Sequence, residues 1–341
     1  MAAINVGLIG TGRIGRMHAQ HLAFRVPGAR LLAVANRSAE AAESCAAESQ
    51  VPAAFTEYQR ILDNPDIHAV VICTSTDTHA RIIEEAAAAG KHIFCEKPLD
   101  LDLARINQVL AAVAKAGVKL QVGFNRRFDS NFRRVRELVA GGEIGEPHIV
   151  HIIDRDPQPP PIEFVRCSGG MFLDLTIHDF DMVRYLISSE VTELYALGGV
   201  MVDADIGRAG DIDTAVVALR FANGAMGSID NSRQAVYGYD QRVEVFGSKG
   251  MVAVSNKKPD TTECSTSRGV QSALPLHWFV ERYTDSYIAE MRAFIECVQE
   301  DKPPPVTGLD ARIASVMAHA ASKSHVEKRP VKPSEIDTTM R

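Results

Sequence analysis

Five short apolar runs mark the first third of the chain: INVGLI (4–9), ARLLAVA (29–35), HAVVIC (68–73), HIFC (92–95) and VKLQVGF (118–124). They are nearly continuous in apolar residues, the pattern of strands covered on both faces. Segments of helical period separate them, and one of these, THARIIEEAAAAG, ends on Gly90 as a helix C-terminus should. Strands alternating with helices predict an α/β unit built on a parallel sheet.

Beyond residue 124 the pattern changes. DTAVVALRF-ANG-AMGSIDNSR (213–233) alternates in polarity on either side of Asn223-Gly224, which predicts a hairpin. RVEVF-GSKG-MVAVS (242–255) predicts a second. This half is expected to be an α+β domain with a large, mostly antiparallel open sheet. Helical patterns at 278–299 and 308–325 close the chain on either side of DKPPPVTG, and the last helix is left free to pack back on the first domain. The expected division is 1–123, a Rossmann dinucleotide-binding domain, and 124–341, a substrate-binding and oligomerisation domain.

Composition narrows the function without choosing it. The chain has 341 residues, enough for two domains, with 37 basic and 43 acidic residues scattered along it for a net charge of −6. That balance argues against nucleic acid or an anionic membrane as partner. No apolar stretch approaches a membrane span, and the first residues run into INVGLIG without a basic leader. Six cysteines stand far apart with no C-x-x-C pair, which suits reduced thiols and a cytoplasmic location.

The first run leads into Gly10-Thr11-Gly12-Arg13-Ile14-Gly15, with a helical pattern beginning inside it. In a strand–turn–helix context the three glycines serve a tight turn, a close approach of backbone to pyrophosphate, and tight helix–strand packing. The helix N-terminus then offers N–H groups to phosphate. The second run ends at Asn36-Arg37, where NAD enzymes usually place a carboxylate for the ribose 2′-hydroxyl. A neutral amide beside a guanidinium would accept a 2′-phosphate, so NAD(P) is expected, with a lean to NADP or dual use. The plainer alternative leaves Arg37 as a solvated charge and Asn36 serving NAD.

Two further segments carry chemistry. Glu96-Lys97-Pro98 follows the fourth strand, at the carboxyl edge where open α/β sheets bind ligands. Lys97 is either the partner of Glu96 in a surface ion pair or a cation held to meet a substrate oxygen. In GGMFLDLTIHDFDMVRYL (169–186), Asp174 and His178 stand four apart, expected on one helix face with Asp181 and Tyr185. A carboxylate beside an imidazole suits removal of a hydroxyl proton. A merely solvated face and a metal site are the alternatives, and no spacing in the chain supplies a third ligand, so no metal is expected.

GLIGTGRIG, FCEKPL, QVGFNRRFD, RDPQPPP, SGGMFLDLTIHDFD and YGYDQRVEVFG occur in the order found in the glucose–fructose oxidoreductase/inositol dehydrogenase (Gfo/Idh/MocA) family, which the chain resembles over nearly its whole length. The likeness is greatest to the family's inositol-oxidising members. It implies reversible oxidation of myo-inositol to 2-keto-myo-inositol by hydride transfer to NAD(P), in a homo-oligomer, dimer or tetramer, built through the C-terminal sheet. Lys97, Asp174 and His178 match its catalytic residues, with His178 as base, and Arg127, Asp156 and Tyr239 fall where the polyol is held. On the cofactor side it implies Gly10, Gly12, Arg13, Ile14, Gly15, Asn36, Arg37, Thr74, Ser75, His79, Glu96 and Lys97. Asp77 stands where many members carry proline. A scyllo-inositol or hexose dehydrogenase, a nucleotide-binding regulator without turnover, and a hydrolase using NAD as redox relay are the rival functions.

Overall fold

The computed structural model describes residues 3–338. Among the described residues two compact units emerge: one runs to Phe128 and includes Asp285–Ile313, the other comprises Asp129–Thr284 and the chain from Ala314 onward.

In the first unit, β1 (Ile4–Ile9), β2 (Ala29–Ala35), β3 (Ala53–Phe55), β4 (Ala69–Ile72), β5 (His92–Glu96) and β6 (Leu120–Gly123) form one parallel sheet in the order β3-β2-β1-β4-β5-β6. The order reverses beside β1, and that switch point is where such sheets bind ligands. All predicted strands are present. β3 was not predicted, because three half-buried residues carry no periodic signal. The helix Thr76–Ala88 ends before Gly90, which takes a left-handed φ of 70°. Val6, Leu8, Val34, Val71 and Phe94 make the core, joined by Ile288, Met291, Phe294 and Ile295 of the helix Phe279–Gln299.

The second unit holds a six-stranded sheet from β7 (Pro147–Arg155), β8 (Val191–Gly199), β9 (Thr214–Phe221), β10 (Met226–Ser232), β11 (Asp240–Gly247) and β12 (Gly250–Val254), in the order β12-β11-β7-β10-β9-β8. Four of its ladders are antiparallel and β7–β10 is parallel, so the sheet is mixed and mostly antiparallel. Both hairpins form where predicted. Along these strands one face is buried and the other open. On the open face Met251, Phe246, Ile149 and Met226 are direct neighbours across β12, β11, β7 and β10, and Phe246, Met226 and Met251 are each about half exposed. A separate small hairpin pairs β13 (Glu263–Thr266) with β14 (Gly269–Ser272).

One expectation fails. Asp174 and His178 do not share a continuous helix: Met171–Asp174 and Ile177–Ile187 are separate, with a turn at Leu175–Thr176. The His178 amide bonds to the Leu175 carbonyl at 3.2 Å. The reason lies in the sheet. Thr176 is fully buried and donates from Oγ1 to Asn231 Oδ1 at 2.7 Å, and Asn231 Nδ2 donates to Asp179 Oδ2 at 2.8 Å. These buried bonds dock the second helix on β10 and break the register with the first. Nor is its face at Asp181 solvated, since Asp181 is completely buried along with Phe180, Met182 and Val183.

Candidate active site

Each glycine of the loop after β1 answers a different contact. Gly10 takes φ +97°, and a Cβ there would lie 2.6 Å from the Cys73 carbonyl carbon. A Cβ on Gly15 would lie 1.8 Å from the Gly10 carbonyl oxygen. At Gly12 a Cβ would meet nothing within 4 Å, so that backbone is open to a ligand. Gly12 is also the N-cap of the helix Arg13–Phe24, which has no side-chain cap and no acidic residue in its first turn. Its leading N–H groups are therefore available to an anion, and exposed Arg13 and half-buried Ile14 begin that turn.

Beside this loop opens a cavity of about 290 Å³ whose walls include Gly10, Gly12, Asn36, Arg37, Thr74 and Ser75. Asn36 accepts through Oδ1 from the Ser38 amide at 2.9 Å, which fixes the turn into the next helix. Arg81 also lines the cavity, its guanidinium 5.8 Å from the centre of the Tyr58 ring. No motif marks Arg81, because only the helix Thr76–Ala88 brings it to this wall. The two guanidinium groups face no acidic residue among those lining the cavity.

At the carboxyl edge of the sheet, Glu96 ends β5 and the Lys97–Pro98 bond is cis. The Glu96 carboxylate meets His18 Nε2 at 2.8 Å. His79 is buried, with Nδ1 2.8 Å from the Pro98 carbonyl oxygen and Nε2 3.0 Å from that of Thr74. It thereby ties the turn carrying Lys97 to the cavity wall. Burial pushes its pKa down against the opposing pull of the two carbonyls. Arg127 pairs with Asp310 at 3.0 Å, and Asp310 is itself held by Thr307.

In the second unit Asp174 and Asp156, two of the expected residues, face a side chain that the sequence did not flag. Arg233, just past β10, is 2% exposed and donates to Asp174 Oδ2 at 2.8 Å, with Asp156 Oδ2 3.6 Å away. Burial works against its charge, but the carboxylates of Asp174 and Asp156 outweigh it and hold its pKa above the ordinary value. Asp174 is therefore an ion-paired carboxylate, not part of a solvated face. His178 is half-buried at the start of its helix, and Tyr239 is buried edge-on against Tyr283 at 6.0 Å. An arginine in "DNSRQ" looks like any surface cation, and only the fold places it between two acids from distant segments.

A parallel sheet with its glycine loop, open helix N-terminus and cavity at the switch point defines a dinucleotide-binding fold, and the family match makes it an oxidoreductase. More narrowly, the chain belongs to the Gfo/Idh/MocA family: the oxidoreductase family model with an NAD-binding Rossmann fold matches residues 4–124, and the family's C-terminal domain matches 132–253. It is 46% identical over 333 residues to myo-inositol 2-dehydrogenase of Thermotoga maritima, covering 98% of this chain and 99% of that one. It is 45% identical to inositol 2-dehydrogenase of Rhizobium meliloti, covering 96% and 98%. Among solved structures, scyllo-inositol dehydrogenase of Lactobacillus casei with bound NAD(H) and scyllo-inositol superposes with a TM-score of 0.91 at 27% identity, covering 97% and 99%.

Removing Arg233 should take its charge away from the half-buried carboxylates of Asp174 and Asp156. Arg233→Met is expected to lower unfolding stability by about 3 kcal/mol or more, and adding Asp174→Asn should recover part of that loss. Denaturant melts of the two single variants and the double variant measure it; strict additivity would mean that the ion pair is not what Arg233 supplies.

Proposed function

We propose that the enzyme oxidises the axial hydroxyl of myo-inositol to the ketone, reversibly, with NAD(P) as hydride acceptor. The observation that carries this reading is the likeness, at 45–46% identity over nearly the full length, to two inositol 2-dehydrogenases. His178 takes the hydroxyl proton, and Lys97 bonds the same oxygen as it gains carbonyl character. Asp174 lends its charge to the imidazole and is itself paired with Arg233. When bound, the dinucleotide supplies the atom that receives the hydride. The glycine loop, the helix N-terminus and the walls at Asn36, Thr74, Ser75 and His79 hold it, with Glu96 and Lys97 on the nicotinamide side. Asp156, Tyr239 and Arg127 serve the remaining hydroxyls, since a site built to pair each of them rejects a ligand that lacks one. Scyllo-inositol is the second candidate, supported by the likeness to the Lactobacillus casei enzyme.

NAD use is supported by the family's NAD-binding domain. For NADP, the argument is the pair Arg37 and Arg81 in a cavity without acidic walls, which suits a 2′-phosphate. We place the enzyme in the cytoplasm, in keeping with six free cysteines, of which burial pushes the Cys73 and Cys95 thiols well above their usual range. No helix among the described residues is long and apolar enough to cross a membrane. Homo-oligomerisation, as a dimer or tetramer, is proposed through the open face of the second sheet, where apolar residues continue from strand to strand.

Nucleotide reduction followed by absorbance, over inositol isomers and hexoses with NAD and NADP in parallel, tests the substrate. Reduction is expected with myo-inositol above all, and with no inositol active the reading fails. Lys97→Ala should lose roughly a thousandfold or more in kcat/KM, as for removal of a transition-state donor. Arg37→Ala should weaken NADP by about tenfold or more while sparing NAD, consistent with loss of a charge-assisted bond; equal effects on both cofactors would remove the phosphate role. For assembly, Phe246→Glu is expected to give monomers by light scattering, and an unchanged particle mass would move the interface elsewhere.

A further inference from the structure

Inside the first unit Glu96 meets two ionisable side chains, His18 and Glu290, that the reaction does not call upon. His18 of the helix Arg13–Phe24, Glu96 at the end of β5 and Glu290 of the helix Phe279–Gln299 present nitrogen and oxygen atoms all within 4.8 Å of one another. His18 and Glu290 have no exposure at all. Rings close the surroundings: Phe94 lies 5.4 Å and Tyr287 5.7 Å from His18, both edge-on, and Phe294 lies 5.9 Å from Phe94. Glu96 is further walled by β6, because a Cβ on Gly123 would sit 2.8 Å from Glu96 Oε2. Gln121 Nε2 donates to the Glu290 backbone carbonyl at 2.9 Å and holds that turn of helix against the sheet.

Two carboxylates this close in dry surroundings do not both ionise. Glu96 has the imidazole at 2.8 Å, whereas both carboxyl oxygens of Glu290 are buried without a hydrogen-bond partner. Burial, then the charge of Glu96, pushes the Glu290 pKa well above its ordinary value. One imidazole and two carboxylates could also ligate a divalent cation. Against that, His18 Nε2 and Glu96 Oε1 are already spent on each other at hydrogen-bond distance. A proton requires neither free ligand atoms nor an entry path through the ring cage.

We infer that His18, Glu96 and Glu290 form a proton-holding site in which Glu290 is a neutral acid, and that through Glu96 it is a positioning residue for Lys97. The imidazole, the β6 backbone and Glu290 confine the Glu96 carboxylate on three sides, and Lys97 is the next residue along the chain. Ionisation of Glu290 would drive Glu96 from this place by like-charge repulsion and take the lysine turn with it. The charged and titratable groups facing the site are His18, Glu96 and Cys95 of β5, Cys73 after β4, and Tyr287. Among these the one nitrogen is the His18 imidazole, and it is already bound to Glu96. The catalytic consequence rests on the proposed role of Lys97, whereas the proton itself does not.

The sign of the pH effect follows from linkage. The native protein keeps a proton that an unfolded glutamic acid releases near pH ~4.3. Its stabilising share is complete below that pH and is lost as pH rises through the raised native value. The test uses full-length wild type, Glu290→Gln and Glu290→Ala. Infrared spectra of the wild type should show the carbonyl stretch of a protonated carboxyl, shifted in D2O and absent from Glu290→Gln. Melting temperature should fall with rising pH more steeply in the wild type than in Glu290→Gln, which stays neutral throughout. Turnover should drop by about tenfold in Glu290→Ala and be largely restored in Glu290→Gln. Absence of the infrared band overturns the proposal, as does one equivalent of divalent metal in purified wild type that Glu290→Gln lacks. A Gln variant as impaired as Ala would overturn the positioning role alone. If the wild type oxidises no polyol, the substrate reading fails while the infrared and melting results still decide the proton.

Discussion

Backbone contact between β1, the helix Arg13–Phe24 and the end of β4 is the constraint on which the dinucleotide site depends. No side chain fits between Gly15 and the Gly10 carbonyl oxygen, nor between Gly10 and Cys73. That closeness sets the helix directly on the sheet and aims its first N–H groups across the switch point. It also brings His18, one turn into the helix, down to the carboxyl end of β5, where it meets Glu96. The phosphate end and the lysine end of the first unit are thus linked through a single short helix. A methyl group at Gly15 would disturb both.

Charge inside this protein is arranged by pairing, not by exposure. Arg233 shows the arrangement in the second unit: a guanidinium almost wholly buried is stable there because carboxylates from two separate segments face it. The first unit holds the reverse case, an acid set beside a carboxylate and the imidazole paired with that carboxylate. Here the economical state is the neutral one. Both devices sit next to residues with proposed roles in the reaction. Their buried polar bonds fix those residues more narrowly than apolar packing could, because each bond has a direction as well as a partner.

The two faces of the sheet in the second unit differ in what covers them. Thr176, Asn231 and Asp179 form a buried chain that docks the helix of His178 against β10. On the opposite face the strands carry a continuous apolar row that a lone protomer leaves in water. An alternating strand can do both at once, since its neighbouring residues point to opposite sides.

Much of this was legible in the sequence, and the reason is local. The glycine loop, five of the six strands of the parallel sheet, both hairpins and the two closing helices follow from short-range rules of period, turn chemistry and backbone freedom. The position of Lys97 at a strand end could be read because its neighbours mark the end of β5. Tertiary structure decided what depends on distant partners. β7 and β8 were unread because their polarity makes sense only beside neighbouring strands. The break between Asp174 and His178 was invisible because Asn231, 55 residues after Thr176, causes it. Arg233, Arg81, His18 and Glu290 look like ordinary polar residues in their own segments. They acquire their chemistry only when folding removes water and supplies a charge from elsewhere in the chain.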